Sequence, residues 1–163
     1  LIVLQAIKKK LPRYDYIYLG DTKRLPYGNK TTKQIYTYAS DCVDYLFRQG
    51  CKLIIVACNT VSSEALRKLQ KEYLPNKYPH LKILGVIVPT VETIIEKGYK
   101  NIGIIGTTAT INSKSYIKEL RKLDKTIVVH QKAAPKLVPL IEKNELNKAE
   151  LSLRQYLSPL KTK

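Results

Sequence analysis

The sequence is poor in acid and in the residues that most often hold metals. Thirteen Asp and Glu stand against 29 Lys and Arg, a formal charge of +16. There are two histidines, His80 and His130, and three cysteines, Cys42, Cys51 and Cys58, with no C-x-x-C pair among them. That spacing gives a zinc site no support, and no metal is expected. An odd cysteine count also argues against a disulfide framework. No unbroken apolar stretch is long enough to cross a bilayer, so no membrane partner is expected. Residues 1–7 lack the basic lead and the small-residue cleavage site of a secretory signal, which points to the cytoplasm.

The excess of basic residues raises the question of nucleic acid. Its distribution argues against that partner. Lysines are spread over most segments, with the densest clusters at residues 8–10 and 118–125, and the single Phe and twelve Tyr form no RNA-reading motif. A lysine-rich surface of this kind reads as a solvated face, and no nucleic-acid partner is expected.

The 163 residues, 44% of them hydrophobic, suffice for one domain or two small lobes. Strand and helix patterns alternate along them. This predicts an α/β fold of open, mainly parallel sheets flanked by helices, in two Rossmann-like lobes of which the second is incomplete. The pattern predicts strands at residues 14–19, 53–57, 82–87, 101–106 and 126–130. It predicts helices over residues 1–10, from Thr31 or Thr32 to about 49 with Gly50 as the stop, over 61–73, from Pro89 to Gly98, from Asn112 or Ser113 to 123, and over 136–142 and 148–157. Residues 74–80, with two prolines, read as a surface connection, and residues 107–110 as a Thr-rich loop. The change near Val88 and Pro89 is the expected lobe boundary, giving lobes 1–88 and 89–163.

Residues 53–60 run an apolar strand into Cys58, Asn59 and Thr60 and then a helical pattern. A strand end that faces a helix N-terminus is an anion-friendly position. The competing reading of Cys58 is a buried structural thiol, since free Cys is among the most buried residue types. A purely structural position has no need of the adjoining Asn59 and Thr60. Cys42 falls on the stripe Ile35, Tyr38, Ala39, Cys42, Leu46 and reads as structural, and Cys51 reads as a packing residue. Three loops stand at strand C-termini, the edge at which open α/β sheets bind ligands: residues 20–30, 58–60 and 107–110. The Pro26-Tyr27-Gly28 turn reads either as an ordinary turn or as a rigid loop that offers backbone N–H groups to an anion. Gly103-x-x-Gly106 lacks both the Lys-Ser/Thr of a triphosphate loop and the full dinucleotide fingerprint.

Taken together, four segments are far more specific than any one. Gly20-Asp21-Thr22-Lys23-Arg24-Leu25-Pro26-Tyr27-Gly28, Val56-Ala57-Cys58-Asn59-Thr60, Gly85-Val86-Ile87-Val88-Pro89 and residues 104–113, in this order, closely resemble the glutamate racemases of the aspartate/glutamate racemase superfamily. Residues 135–142 are similar to that family as well. The resemblance implies two α/β lobes enclosing glutamate between two cysteines, one on each face of its α-carbon, without a cofactor. It implies Cys58 as the first catalytic cysteine, Tyr27, Gly28, Asn59 and Thr60 as substrate-holding residues, and Thr107 and Thr110 as a loop lining the pocket. It also implies a role in supplying D-glutamate for peptidoglycan, and relatives that differ in how they dimerise, so that a homodimer is one implied partner.

The departures from the family are at both ends. The family's opening strand with its Asp-Ser glycine-rich loop does not precede Leu1, and its second catalytic cysteine, in a Gly-Cys-Thr-His motif, does not occur in the chain. The expectation is therefore an internal fragment, inactive alone, with an unpaired sheet edge that favours aggregation. The competing readings are an aspartate or hydantoin racemase, which uses the same paired thiols on another side chain, and a non-catalytic carboxylate-binding module.

Overall fold

The structure is a computed structural model and describes residues 1–160. It opens with α1 (Ile2–Lys10), whose last turn carries Lys8, Lys9 and Lys10, charges that suit a helix C-terminus. Residues 14–19, expected as a strand, belong to neither sheet among the described residues. β-pattern alone does not make a strand: it needs a ladder, and the neighbouring strands pair with each other instead.

Helix α2 (Thr32–Arg48) begins at a capping box, in which Thr31 accepts from the Gln34 backbone N–H and Gln34 reaches back to the Thr31 N–H. Its buried residues are Ile35, Ala39, Val43 and Phe47, four apart along one face. Cys42, expected on that stripe, sits beside it and is half-buried. The helix stops before Gly50, whose φ of +88° strains any residue with a Cβ.

Strands β1 (Leu53–Val56) and β2 (Lys82–Gly85) pair in parallel, from Leu53 opposite Lys82 to Val56 opposite Gly85. Between them run α3 (Asn59–Glu64), α4 (Leu66–Lys68), a wider π turn (Leu69–Tyr73) and α5 (Leu74–Lys77). Helix therefore starts before residue 61 and continues past residue 73, where a surface connection was expected. Pro75 falls in the first turn of α5, where a missing N–H is tolerated, and the π turn absorbs the change of register. Ile54 and Ile83 from the strands, Ile35, Val43 and Phe47 from α2, and Leu66, Leu69 and Leu74 form the first core, with Cys51 packed at its margin.

Helix α6 (Ile87–Glu96) starts two residues before Pro89, which still falls in the first turn. Strand β3 (Asn101–Gly106) matches its expected range, and β4 (Val128–Ala133) pairs with it in parallel from Asn101 opposite Val128 to Gly106 opposite Ala133. The second strand starts late because Asp124 holds residues 124–126 in a turn. Its Oδ1 accepts from the Thr126 N–H at 2.7 Å and from the Thr126 hydroxyl at 2.6 Å.

Residues 107–110, read as a loop, instead open α7 (Thr108–Ser113), with Thr107 as its N-cap. Lys114, at φ +56°, turns the chain into α8 (Ser115–Leu123). Ile87 and Val91 of α6, Tyr116 and Leu120 of α8, and Ile127 make a second, smaller core. α9 (Leu137–Glu142) and α10 (Leu146–Leu157) follow. No helix among the described residues is long and apolar enough to cross a membrane.

Candidate active site

Two residues, Ala57 and Cys58, carry the chain from the carboxyl end of β1 into α3. Cys58 is the N-cap residue of that helix and makes no side-chain cap bond. Its side chain lies in an exposed residue, which removes the reading of a buried structural thiol. The N–H groups of Asn59, Thr60 and Val61 have no intrahelical acceptor, because the first bond of the helix runs from Ser62 N to Cys58 O at 2.9 Å. An exposed thiol and a set of uncapped N–H groups thus share one turn.

Thr60 points the other way, into the protein, and is 3% exposed. Its Oγ1 lies 3.0 Å from Thr107 Oγ1, which lies 3.0 Å from Thr110 Oγ1. Thr107 also accepts from the Thr110 backbone N–H at 3.2 Å, so its hydroxyl caps α7 while it joins the chain of three. This chain of hydroxyls crosses from the β1 side of the molecule to the β3 side. Gly28 closes on the same point: a Cβ there would stand 2.6 Å from Thr107 Cβ and 2.7 Å from its Cγ2, so only glycine fits. Gly28, Thr60, Thr107 and Thr110, expected at one pocket from three separate loops, therefore meet.

Tyr27 is placed differently from a ligand-facing phenol. Its ring is buried and its hydroxyl donates to Asp21 Oδ2. Burial first, and then the bond to Asp21, push the phenol well above its ordinary pKa, so it is a donor at neutral pH. Asp21 also accepts from Arg24 Nε at 2.5 Å, and Arg24 reaches Asp41 at 2.7 Å and lies 4.5 Å from the centroid of the Tyr38 ring. Burial opposes the Arg24 charge, but the bonds to Asp41 and Asp21 outweigh it and raise its pKa. Cys42 sits against this group, with its Sγ 3.6 Å from the guanidinium, and burial followed by the Asp21 charge pushes its thiol up. The thiol of Cys42 is thereby kept protonated, in keeping with a structural role.

Asn59 is exposed, and its Oδ1 accepts from the Tyr116 hydroxyl at 2.6 Å. The two residues are 57 apart in sequence, and no local pattern links them. Asn59 lines an open depression of about 430 Å³ together with Ala57, Val86, Pro89 and Thr90. Neither Asp21 nor Tyr116 was expected as part of the site. Asp21 stands in a segment that carries the resemblance, which was the one signal available for it. Around the site the two halves are further tied by Ser115 Oγ donating to Ser63 O at 3.1 Å and by the Arg67–Glu119 ion pair at 2.8 Å. Among the described residues no group of three or more His, Cys, Asp and Glu side chains could hold a metal ion.

Comparison with known proteins adds a family to this geometry. The chain is 41% identical to glutamate racemase of Sulfurihydrogenibium sp. over 164 residues, covering 98% of this chain and 61% of that protein. It is 40% identical to glutamate racemase of Persephonella marina, covering 100% of this chain and 61% of the relative. Its fold superposes on a glutamate racemase isoform from Bacillus anthracis with a TM-score of 0.88 at 31% identity, over 99% of this chain and 59% of that one. The glutamate racemase of Francisella tularensis, solved in complex with D-glutamate, gives a TM-score of 0.84 at 32% identity, over 96% and 57% of the two chains. The chain thus spans about three-fifths of the length of these relatives. Residues 2–163 match the Asp/Glu/hydantoin racemase family, and the chain belongs to that family.

Proposed function

We propose that this chain supplies one half of a site that interconverts L- and D-glutamate by proton transfer at the α-carbon, without a cofactor. The observation that carries the reading is the turn at the carboxyl end of β1. An exposed Cys58 stands there beside uncapped N–H groups, next to the point where Gly28, Thr60 and Thr107 meet. The names of the relatives and the D-glutamate of the Francisella complex support glutamate as the substrate.

The α-proton of an amino acid is only weakly acidic. Removing it requires a base held against the α-carbon and donors aimed at the carboxylate, where negative charge builds as the proton leaves. Cys58, as thiolate, takes the proton on one face. The first-turn N–H groups of α3 and the Asn59 amide are the donors nearest that thiol in the chain, and they suit a carboxylate. Because the Tyr27 phenol is committed to Asp21, the Tyr27-Gly28 pair serves a ligand through its backbone. Inversion requires a second thiol on the opposite face to return a proton, and the family's Gly-Cys-Thr-His motif that would supply it does not occur in these residues. The 163 residues alone are therefore expected to be inactive. In the cell the product, D-glutamate, serves peptidoglycan synthesis.

The test uses the whole protein with D-glutamate and no added cofactor, followed by chiral chromatography. L-glutamate should accumulate toward an equal mixture, and aspartate should be a poor substrate. Absence of glutamate conversion, or a preference for aspartate or a hydantoin, would overturn the proposal.

A further inference from the structure

The Asn59 carboxamide is exposed at the site, yet one of its ends is already taken. The Tyr116 hydroxyl donates to Oδ1 at 2.6 Å, across the seam between the two halves. The Tyr116 ring is 9% exposed and packs in the second core with Val91 and Leu120, so the phenol oxygen is anchored from a fixed base. Burial raises the phenol pKa, with the Thr90 hydroxyl working weakly the other way, and the group is a proton donor throughout the neutral range.

An amide has one accepting end and one donating end. With one Oδ1 lone pair held by Tyr116 and that end of the amide fixed, Asn59 keeps both Nδ2 protons for a ligand in the adjoining depression. A carboxylate accepts and never donates, so it needs that end. The opposite orientation would set the amide oxygen against the anion. We infer that Tyr116 is a positioning residue, which holds Asn59 with its donors toward a substrate carboxylate. The inference rests on the reading of this site as a glutamate site, and it adds Tyr116, a residue of the second core, to the residues placed there.

The test is kinetic, on the whole protein. Tyr116→Phe keeps the ring in the core and removes only the hydroxyl. KM for D-glutamate should rise about tenfold while kcat stays within about twofold, the loss expected for one misoriented donor to a charged group. Asn59→Asp is isosteric and still accepts from Tyr116, but has nothing to donate, and KM should rise at least as much. In an Asn59→Ala background, Tyr116→Phe should add less than about twofold, because its effect passes through Asn59. A merely structural tyrosine would lower the melting temperature, leave the KM-to-kcat split unmoved, and multiply with Asn59→Ala. An unchanged KM in Tyr116→Phe, in a protein that racemises glutamate, would overturn the role of Tyr116 and leave the site reading standing. Should that variant fail to fold, an unchanged KM in Asn59→Asp would overturn it. A whole protein that does not racemise glutamate would overturn both readings.

Discussion

Around β1 and β2 the described residues include twelve buried hydrophobic side chains in one cluster, whereas around β3 and β4 the corresponding cluster has five. Among the described residues, then, the first core is the larger of the two. Where the halves meet, the contacts change character. Thr60, Thr107 and Thr110 join through hydroxyls, Tyr116 reaches Asn59, Ser115 reaches Ser63, and Arg67 pairs with Glu119. Asn59 is where that polar seam reaches an open depression. The seam and Cys58 together mark the candidate site.

The largest effect on this comparison should come from emptying each core in turn. Leu69 and Leu120 are both fully buried, and Leu69→Ala or Leu120→Ala should each cost about 2–5 kcal/mol. Amide hydrogen exchange in the whole protein separates them. Leu120→Ala should release the β3 and β4 amides first while β1 and β2 keep their protection, and Leu69→Ala should do the reverse. Equal loss everywhere would show a single core in place of two.

The seam should respond next, and sterically. Gly28→Ala drives a methyl into Thr107, at an expected cost of about 1–3 kcal/mol in thermal or urea melts. Gly103→Ala is the matched control, because its nearest neighbour would be Leu160 at 3.6 Å and ordinary contact results. If both substitutions are tolerated, the close approach of residues 28 and 107 is wrong. Thr60→Val, which leaves the half-buried Thr107 hydroxyl short of one partner, should cost about 1–2 kcal/mol.

The smallest effect is one of pH, and it lies away from the seam. Asp44 accepts from Tyr78 at 2.6 Å and from Tyr73 at 3.1 Å and pairs with Lys77 and Arg48, tying α2 to the end of α5. Lys77 and then Tyr78 hold its carboxyl well below the usual range. Lys100 and then Thr126 lower Asp124 to about 2. Both are depressed in the folded state, so the stability they confer is fully present above the ordinary carboxylate pKa and is lost as pH falls through the folded values. Asp44→Asn and Asp124→Asn should each flatten the acid limb of the stability curve without moving its shape near pH 7. An unchanged acid limb would remove the ion-pair account.

Much of this arrangement is legible in the sequence where local chemistry decides it. A capping threonine at 31 or 32, the glycine at 50 and the strand pattern of residues 101–106 each specify an element from neighbours a few positions away. The errors arise where the deciding partner is distant or the signal has two uses. Residues 14–19 have strand composition but no ladder partner among the described residues. Thr107 reads as a loop residue because threonine serves both turns and caps, and its hydroxyl serves the cap. Cys42 has the spacing of a core residue, but Val43 and Phe47 take the core, and Cys42 packs against Arg24 and Asp21. At the site, the residue pattern marks the loops 20–30, 58–60 and 107–110 as strand ends suited to a ligand, the resemblance assigns roles within them, and the structure brings Gly28, Thr60, Thr107 and Thr110 to one point. The Tyr116 bond to Asn59 was out of reach of any sequence window, since it depends on how the two halves close.

The central claim is that Cys58 exchanges a proton with the α-carbon of glutamate. It is tested most directly by incubating the whole protein and its Cys58→Ala variant with each enantiomer of glutamate in D2O and following the α-hydrogen by NMR. The wild-type protein should exchange the α-hydrogen of both enantiomers, and the variant should lose exchange of at least one by about a thousandfold, the scale of a missing general base. Undiminished exchange of both enantiomers in Cys58→Ala would contradict the account.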